Sequence, residues 1–256
     1  MYTHNLNPVA IEFLNIKIYW YSLAYLFGFL FSLNFSKYLI KIKKFNFKSE
    51  VIDSLLTWSI FGIIIGGRLG YVVFYNVDYY SHNIIEILKI WKGGMSFHGG
   101  VIGLIISMYF FSKKFNTRFL EIANLVVCSA PLGIFLGRIA NFINGELVGK
   151  PTLSNWGVIY PPESILRHPS QLYEAFLEGF LIFIIINFIL IVNEHKRINV
   201  SSVFLILYGL FRFISEFFRE PDSHLGLLSM GLSMGQILSI PLIFIGLSLV
   251  KYGKKN

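Results

Sequence analysis

The chain has 256 residues, of which 55% are hydrophobic, 17% aromatic and only 14% charged, and its formal net charge is +8. A soluble domain carries about 25% charged residues, whereas the apolar residues here come in blocks close to the roughly 20 that a membrane-spanning helix needs. This excludes an ordinary soluble enzyme. It also excludes a nucleic-acid partner, because no basic face is interleaved with stacking aromatics; the positive charge reads instead as anchoring beside anionic membrane lipids.

In chain order, Met1–Lys17 lacks the basic stretch and small-residue cleavage site of a signal peptide, so the first apolar block is expected to stay in the mature protein. Apolar blocks follow at 18–36, 53–75, 96–112, 119–142, 170–192, 201–218 and 231–250. The third is the weakest. Either it starts near Met95, or the preceding GGMSFHGG enters the membrane as non-helical backbone, which is tolerated only where it lines a protein cavity. Cys128, the single cysteine, lies in the fourth block and reads as buried and structural; no internal disulfide can form. The segment 143–169 is the longest external loop, stiffened by Pro151, Pro161, Pro162 and Pro169.

One set of block ends holds Lys37, Lys41, Lys43, Lys44, Lys48, Lys113, Lys114, Arg118, Lys196, Arg197, Lys251, Lys254 and Lys255, and the other holds Lys89, Lys92, Lys150, Arg167 and Arg219. The positive-inside rule makes the first set cytoplasmic. The expected fold is therefore all-α: a polytopic membrane protein, one domain over 1–256, with seven transmembrane helices, the N-terminus outside and the C-terminus cytoplasmic.

That topology gathers the intramembrane polar residues at the outer ends of the spans. Tyr21, Arg68, His98, Arg138, Asn141, His168, Gln171, Arg212, Glu216 and Gln236 all fall there. An Arg near the centre of a helix costs about 2.5–3.5 kcal/mol on insertion scales, so three of them need partners or a ligand. Arg138 and Asn141 are spaced i, i+3 and point the same way, with Asn144, Glu146 and Gly149 following. Arg212 and Glu216 are spaced i, i+4 and can pair with each other. Arg68 has the alternative of snorkelling to the interface, and Tyr21 that of a belt aromatic. His98 is flanked by Gly93, Gly94, Gly99 and Gly100, which permit close backbone approach; His4, His82, His195 and His224 read as loop residues. GGRLGYVVFYN (66–76) and LGRIANFING (136–145) echo each other and suggest paired half-sites. Guanidinium groups bind phosphate in a planar fork, so an anionic lipid head group fits this level. No HExxH, CxxC or Asp/Glu cluster is visible, and neither a P-loop nor a Rossmann fingerprint; neither a metal nor a cofactor is expected.

GRIANFINGELVGKPT (137–152), with YWYSLAY (19–25), GGRLGYVVFYN (66–76), GGMSFHGGVIG (93–103), RHPSQLYEA (167–175), FRFISEFFREPD (211–222) and LSMGQILSIP (232–241), resembles the bacterial prolipoprotein diacylglyceryl transferases. The resemblance touches every expected span. It implies an enzyme of the bacterial inner membrane that moves the diacylglyceryl group of phosphatidylglycerol to the lipobox cysteine of a prolipoprotein signal peptide. A thioether forms and glycerol phosphate leaves. By the same resemblance the functional positions are Tyr21, His98, Arg138, Asn141, Glu146, Gly149, Arg212 and Glu216. The external stretch after Thr152 is shorter than in some relatives.

In the chemistry this implies, His98 is the candidate base for the incoming thiol, since free imidazole has a pKa of about 6.5 against about 8.5 for the thiol. Arg138 and Arg212 are candidates to meet the charge on the leaving phosphate. Glu216 would orient Arg212, Tyr21 would bond a lipid oxygen, and Arg138, Asn141, Glu146, Gly149 and Arg68 would hold the lipid. An alternative is that the Arg-bound phosphate takes the thiol proton. Other classes differ in visible ways: a retinal photosensor needs a Lys that 231–250 lacks, a transporter favours broken helices at the midplane, and alcohol phosphotransferases need an acidic metal motif.

Overall fold

The computed structural model of the chain describes residues 2–14, 16–42, 44–45, 47–192, 198–221, 226–228 and 231–253. His195, His224 and the basic residues Lys43, Lys196, Arg197, Lys254 and Lys255 lie outside the described residues. The fold is mostly helical: α1 (Trp20–Lys41), α2 (Ser49–Tyr75), α3 (Val77–His82), α4 (Phe97–Lys114), α5 (Phe119–Asn144), α6 (Ser170–Glu174), α7 (Ile182–Val192), α8 (Val200–Ser215) and α9 (Met234–Gly253). A π-helical stretch, Ala175–Leu181, joins α6 to α7, so Ser170–Val192 is one continuous helix. Among the described residues, four helices are long and apolar enough to cross a membrane: α1, α2, α5 and Ser170–Val192. α8 and α9 are shorter apolar helices. The chain is a multi-pass membrane protein.

The all-α expectation needs correction. β2 (Val9–Phe13) and β3 (Ile16–Tyr19) form an antiparallel hairpin with Leu14 at φ +54°. β1 (Tyr2–Thr3) pairs in parallel with β4 (Val158–Ile159), which pairs antiparallel with β5 (Leu166–Arg167). The hairpin reads VAIEF…IKIY, rich in the β-branched and aromatic residues that suit a strand. The start of α4 also resolves a choice left open by the sequence. Ser96 caps the helix, accepting from the Gly99 amide at 3.2 Å, while Gly93 and Gly94 take φ +80° and +77° in the turn before it.

The chain divides into two compact units, residues 36–125 and residues 1–35 with 126–256. In the first, α2 and α4 cross on glycine. Gly62, Gly66 and Gly70 lie on one face of α2 and Gly99 and Gly103 on one face of α4, all at i, i+4 spacing. A Cβ on Gly62 would sit 2.7 Å from the Gly103 carbonyl oxygen, and one on Gly70 2.7 Å from the Gly99 Cα. Without a hydrophobic drive in lipid, helices associate through such small-residue faces. Ser96 N donates to the Gly67 carbonyl at 2.8 Å, which pins the start of α4 to α2.

In the second unit, Pro131 interrupts the amide ladder of α5. Just before it, the Cys128 carbonyl accepts from Asn187 Nδ2 at 2.9 Å. Ser32 and Ser129 share a hydroxyl hydrogen bond of 2.7 Å between α1 and α5. Gly179 lets the π-helical stretch press on α5: a Cβ there would meet Phe135 Cβ at 2.5 Å. Gly209 and Gly246 do the same for α8 and α9, against the Ser239 and Ser202 carbonyls.

Candidate active site

The close approach at Gly179 carries the site. Arg138 lies one turn beyond Phe135 on α5, and Glu178 precedes Gly179, so the contact brings guanidinium and carboxylate together. Arg138 Nη1 lies 2.6 Å from Glu174 Oε2 and Nη2 lies 3.1 Å from Glu178 Oε2. Arg212, near the end of α8, reaches the same pair: its Nη1 is 3.2 Å from Glu174 Oε2 and 3.4 Å from Glu178 Oε1. Its Nη2 contacts Glu216 Oε1, the i, i+4 pairing anticipated from spacing. Arg219 Nη1 closes the cluster, 3.7 Å from Glu216 and 4.0 Å from Glu174.

Three guanidiniums therefore face three carboxylates, and the charges balance. The carboxylates are the deeper members: the side chains of Glu174 and Glu178 are 1% and 0% exposed, those of Arg138 and Arg212 16% and 14%. Ser215 Oγ donates to Glu178 Oε1 at 2.8 Å, and Ser233 Oγ donates to Glu216 Oε2 at 2.7 Å. The carboxylates grip the arginines from the buried side through the terminal nitrogens, leaving each Nε–H clear of those contacts. This is the balance that buried charges require, since an unpaired one costs several kcal/mol.

Glu174, Glu178, Ser215 and Ser233 are site residues that the sequence reading misses; their carboxylates are taken up by arginines, and among the described residues no group of His, Cys, Asp and Glu is arranged to hold a metal ion. The available signal was two carboxylates at i, i+4 inside the most apolar block. Burial penalises them as it penalises Arg, so they too needed partners. Glu216 is also displaced from its expected position inside a helix, because α8 ends at Ser215 and Glu216 opens the following turn.

The segment after Arg138 forms a second polar group. Asn141 Nδ2 and Asn144 Nδ2 both donate to Glu146 Oε1, at 2.7 and 3.2 Å. The Glu146 amide returns to the Asn141 carbonyl at 3.1 Å, and the chain turns through Gly145 and Leu147 at φ +67° and +56°. Gln171 Nε2 donates to the Glu146 carbonyl at 2.7 Å, and Gln171 Oε1 accepts from the Tyr160 hydroxyl at 3.2 Å. Gly149 sits where two other backbones cross. Its amide bonds the His168 carbonyl, and a Cβ would run into that carbonyl and lie 2.7 Å from the Phe218 carbonyl. Arg167 fastens this crossing, with bonds of 2.6 Å to Glu163, 3.1 Å to Glu220 and 3.0 Å to the Gly149 carbonyl. Tyr21, at the start of α1, is half-buried and edge-on to Tyr25 at 5.2 Å.

In the other unit, His98 is the second residue of α4 and is exposed, its ring against Phe97. The glycines around it divide: Gly93 and Gly94 make the turn, while Gly99 serves the seam with α2. Arg68 is 3% exposed and, among the described residues, donates to backbone carbonyls only. Nε bonds Ile87, Nη1 bonds Gly93 and Gly94, and Nη2 bonds Glu86 and Lys89, at 2.5–3.3 Å. All five guanidinium hydrogens are thereby engaged, which leaves none for a lipid phosphate. The two Gly-Arg motifs that echo in sequence thus do different work: Arg138 meets carboxylates and Arg68 organises a loop.

The profile of the family described as prolipoprotein diacylglyceryl transferase matches residues 8–252. Similar proteins include the phosphatidylglycerol–prolipoprotein diacylglyceryl transferase of Ehrlichia ruminantium (strain Welgevonden), 44% identical over 98% of both chains. Those named alike from Ehrlichia canis (strain Jake) and Wolbachia pipientis subsp. Culex pipiens (strain wPip) are each 46% identical, over 97% of both chains and over 98% and 96% respectively.

Proposed function

The chain belongs to the prolipoprotein diacylglyceryl transferase family, and on that premise we propose that it transfers the diacylglyceryl group of phosphatidylglycerol to the lipobox cysteine of a prolipoprotein, the first step of lipoprotein maturation. The thiolate sulfur attacks the glycerol carbon that bears the phosphate. A C–S bond forms, the C–O bond breaks, and glycerol phosphate leaves with an added negative charge. The observation that carries this reading is the pair Arg138–Arg212, held by shared carboxylates that are more deeply buried than the arginines themselves. Guanidiniums fixed in this way meet the leaving phosphate without reorganising, the condition under which electrostatic stabilisation is largest.

Within this reading Glu174, Glu178 and Glu216 are positioning residues. Asn141 and Glu146 hold the turn after Arg138 and offer polar groups to the lipid head. Gly149 keeps that turn closed, Tyr21 donates to a lipid oxygen, and Arg68 positions the loop before α4. His98 takes the thiol proton, for which its exposed ring is suited. The second reading, with the bound phosphate as acceptor, is separated by one variant: His98→Gln with normal turnover removes the base assignment.

The proposal extends to setting. One domain over 1–256 would cross the bacterial cytoplasmic membrane seven times. Its N-terminus and the 143–169 loop would lie outside, its C-terminus would be cytoplasmic, and the reaction would proceed at the outer leaflet. The distribution of Lys and Arg supports this orientation. The activity is tested by incubating purified protein with phosphatidylglycerol and a lipobox peptide. Release of glycerol phosphate that depends on the peptide cysteine is expected; equal release with a Cys→Ser peptide would reject the reaction.

A further inference from the structure

Between α2 and α4 the chain folds into α3 and two 3-10 turns, Ile84–Leu88 and Ile90–Lys92. Most apolar side chains of these turns face outward: Ile84 is 70% exposed, Ile85 75%, Leu88 75% and Trp91 76%, and Phe97 at the start of α4 is 67% exposed. In water this would be a costly surface. The inner side is equally unusual. Arg68 donates to the carbonyls of Glu86, Ile87, Lys89, Gly93 and Gly94, and its guanidinium lies 5.2 Å over the Tyr80 ring. The amides of Glu86, Lys89, Lys92 and Gly93 are bonded within the turns. The charged side chains are paired as well: Glu86 receives Lys89 at 2.5 Å and Lys92 at 2.6 Å. Those ammonium groups hold the Glu86 carboxyl below the ordinary carboxylate range, so it stays ionised.

We propose that residues 84–92, folded around Arg68, form an interfacial foot that lies in the boundary between lipid head groups and acyl chains and sets the depth of α4 and His98. Non-helical backbone survives beside hydrocarbon only where its polar groups are met by protein, and one buried arginine here meets five carbonyls. A Trp flanked by lysines is the residue pattern of the membrane interface. The apolar face continues into Phe74 and Tyr75 at the end of α2, 71% and 58% exposed, so the foot extends a surface already turned to lipid. The occupant is therefore lipid, seated about 5–10 Å into the boundary as for other interfacial segments. This inference is independent of which protein substrate the enzyme uses.

The test uses the full chain with Trp91 as its only tryptophan (Trp20→Phe, Trp58→Phe, Trp156→Phe), reconstituted in phosphatidylcholine vesicles carrying brominated chains. Emission should be blue-shifted, insensitive to aqueous iodide, and quenched more by lipid brominated near the head group than near the chain end. Adding Arg68→Lys, which removes most of the carbonyl bonds, should shift emission to the red and restore iodide quenching. Because either variant risks misfolding, a nitroxide on Leu88→Cys in the otherwise native chain gives a second reading: relaxation by oxygen should exceed relaxation by a water-soluble nickel chelate. Iodide quenching of Trp91 equal to that of free tryptophan, or nickel access exceeding oxygen access, would overturn the proposal. So would protection that develops only on adding a signal peptide, which would make the face a peptide-docking surface.

Discussion

Glu178→Gln is the sharpest perturbation of the Arg–Glu cluster, because it changes charge without changing shape. Glu178 lies 3.1 Å from Arg138 and 3.4 Å from Arg212, and the amide oxygen of Gln can still accept the 2.8 Å bond from Ser215. Three guanidiniums would then face two carboxylates. Breaking a buried ion pair outright costs about 3–5 kcal/mol; with one acceptor retained, the loss falls nearer the about 1.5–3 kcal/mol of a hydrogen bond to a charged group. If that appears in the transition state, kcat falls roughly ten- to a hundred-fold, at about 1.4 kcal/mol per decade. The surplus positive charge attracts an anionic lipid, so KM should stay level or fall. The assay is the initial rate of glycerol phosphate release across phosphatidylglycerol concentrations, with a melting curve in the same detergent. An unchanged kcat, or a higher KM at wild-type kcat, would refute the positioning role.

Four further outcomes follow from the same contacts. Gly149→Ala should destabilise the protein by more than the about 1 kcal/mol typical of point changes, because the new methyl has rigid backbone carbonyls of His168 and Phe218 in its way; thermal melting and activity should fall together. Gly103→Val should part α2 from α4 at the Gly62 carbonyl and appear as a lower melting temperature and faster proteolysis of residues 84–95. Arg138→Lys keeps the charge but loses the fork that reaches two carboxylates, so turnover should drop sharply while protein yield holds. Burial lowers the pKa of His168 below its ordinary value. The folded state thus binds fewer protons than the unfolded one, and stability from this group is full above about pH 6.5 and lost as the pH falls below it; His168→Phe should flatten the acid side of a plot of melting temperature against pH.

The long apolar blocks foretold the helices well because hydropathy over ~20 residues is a sum that single residues barely disturb. α5 and Ser170–Val192 lie where their blocks ended to within a few residues. The same averaging hid Glu174 and Glu178, whose two charges vanish in a run of Ile, Leu and Phe. Arg138 and Arg212 were legible as costly residues, but their partners depend on which helices meet, and that is decided by Gly179 against Phe135. Arg68 shows the limit from the other side. Its residue type and its echo of Arg138 suggested phosphate, whereas its actual partners are carbonyls, which carry no signature in a sequence. The strands at 9–13 and 16–19 escaped the reading because Met1–Lys17 was weighed only as a signal peptide and the first apolar block was set at 18–36, although VAIEF and IKIY are rich in β-branched and aromatic residues.

The central claim, group transfer at an arginine pair, is tested most directly with phosphatidylglycerol labelled separately in its acyl chains and its head-group glycerol. In one incubation with a lipobox peptide, acyl label should pass to the peptide while head-group label appears in water-soluble glycerol phosphate, in equal amounts. Both should fail together in Arg212→Gln. Head-group release without peptide labelling, or equal transfer in Arg212→Gln, would contradict the account.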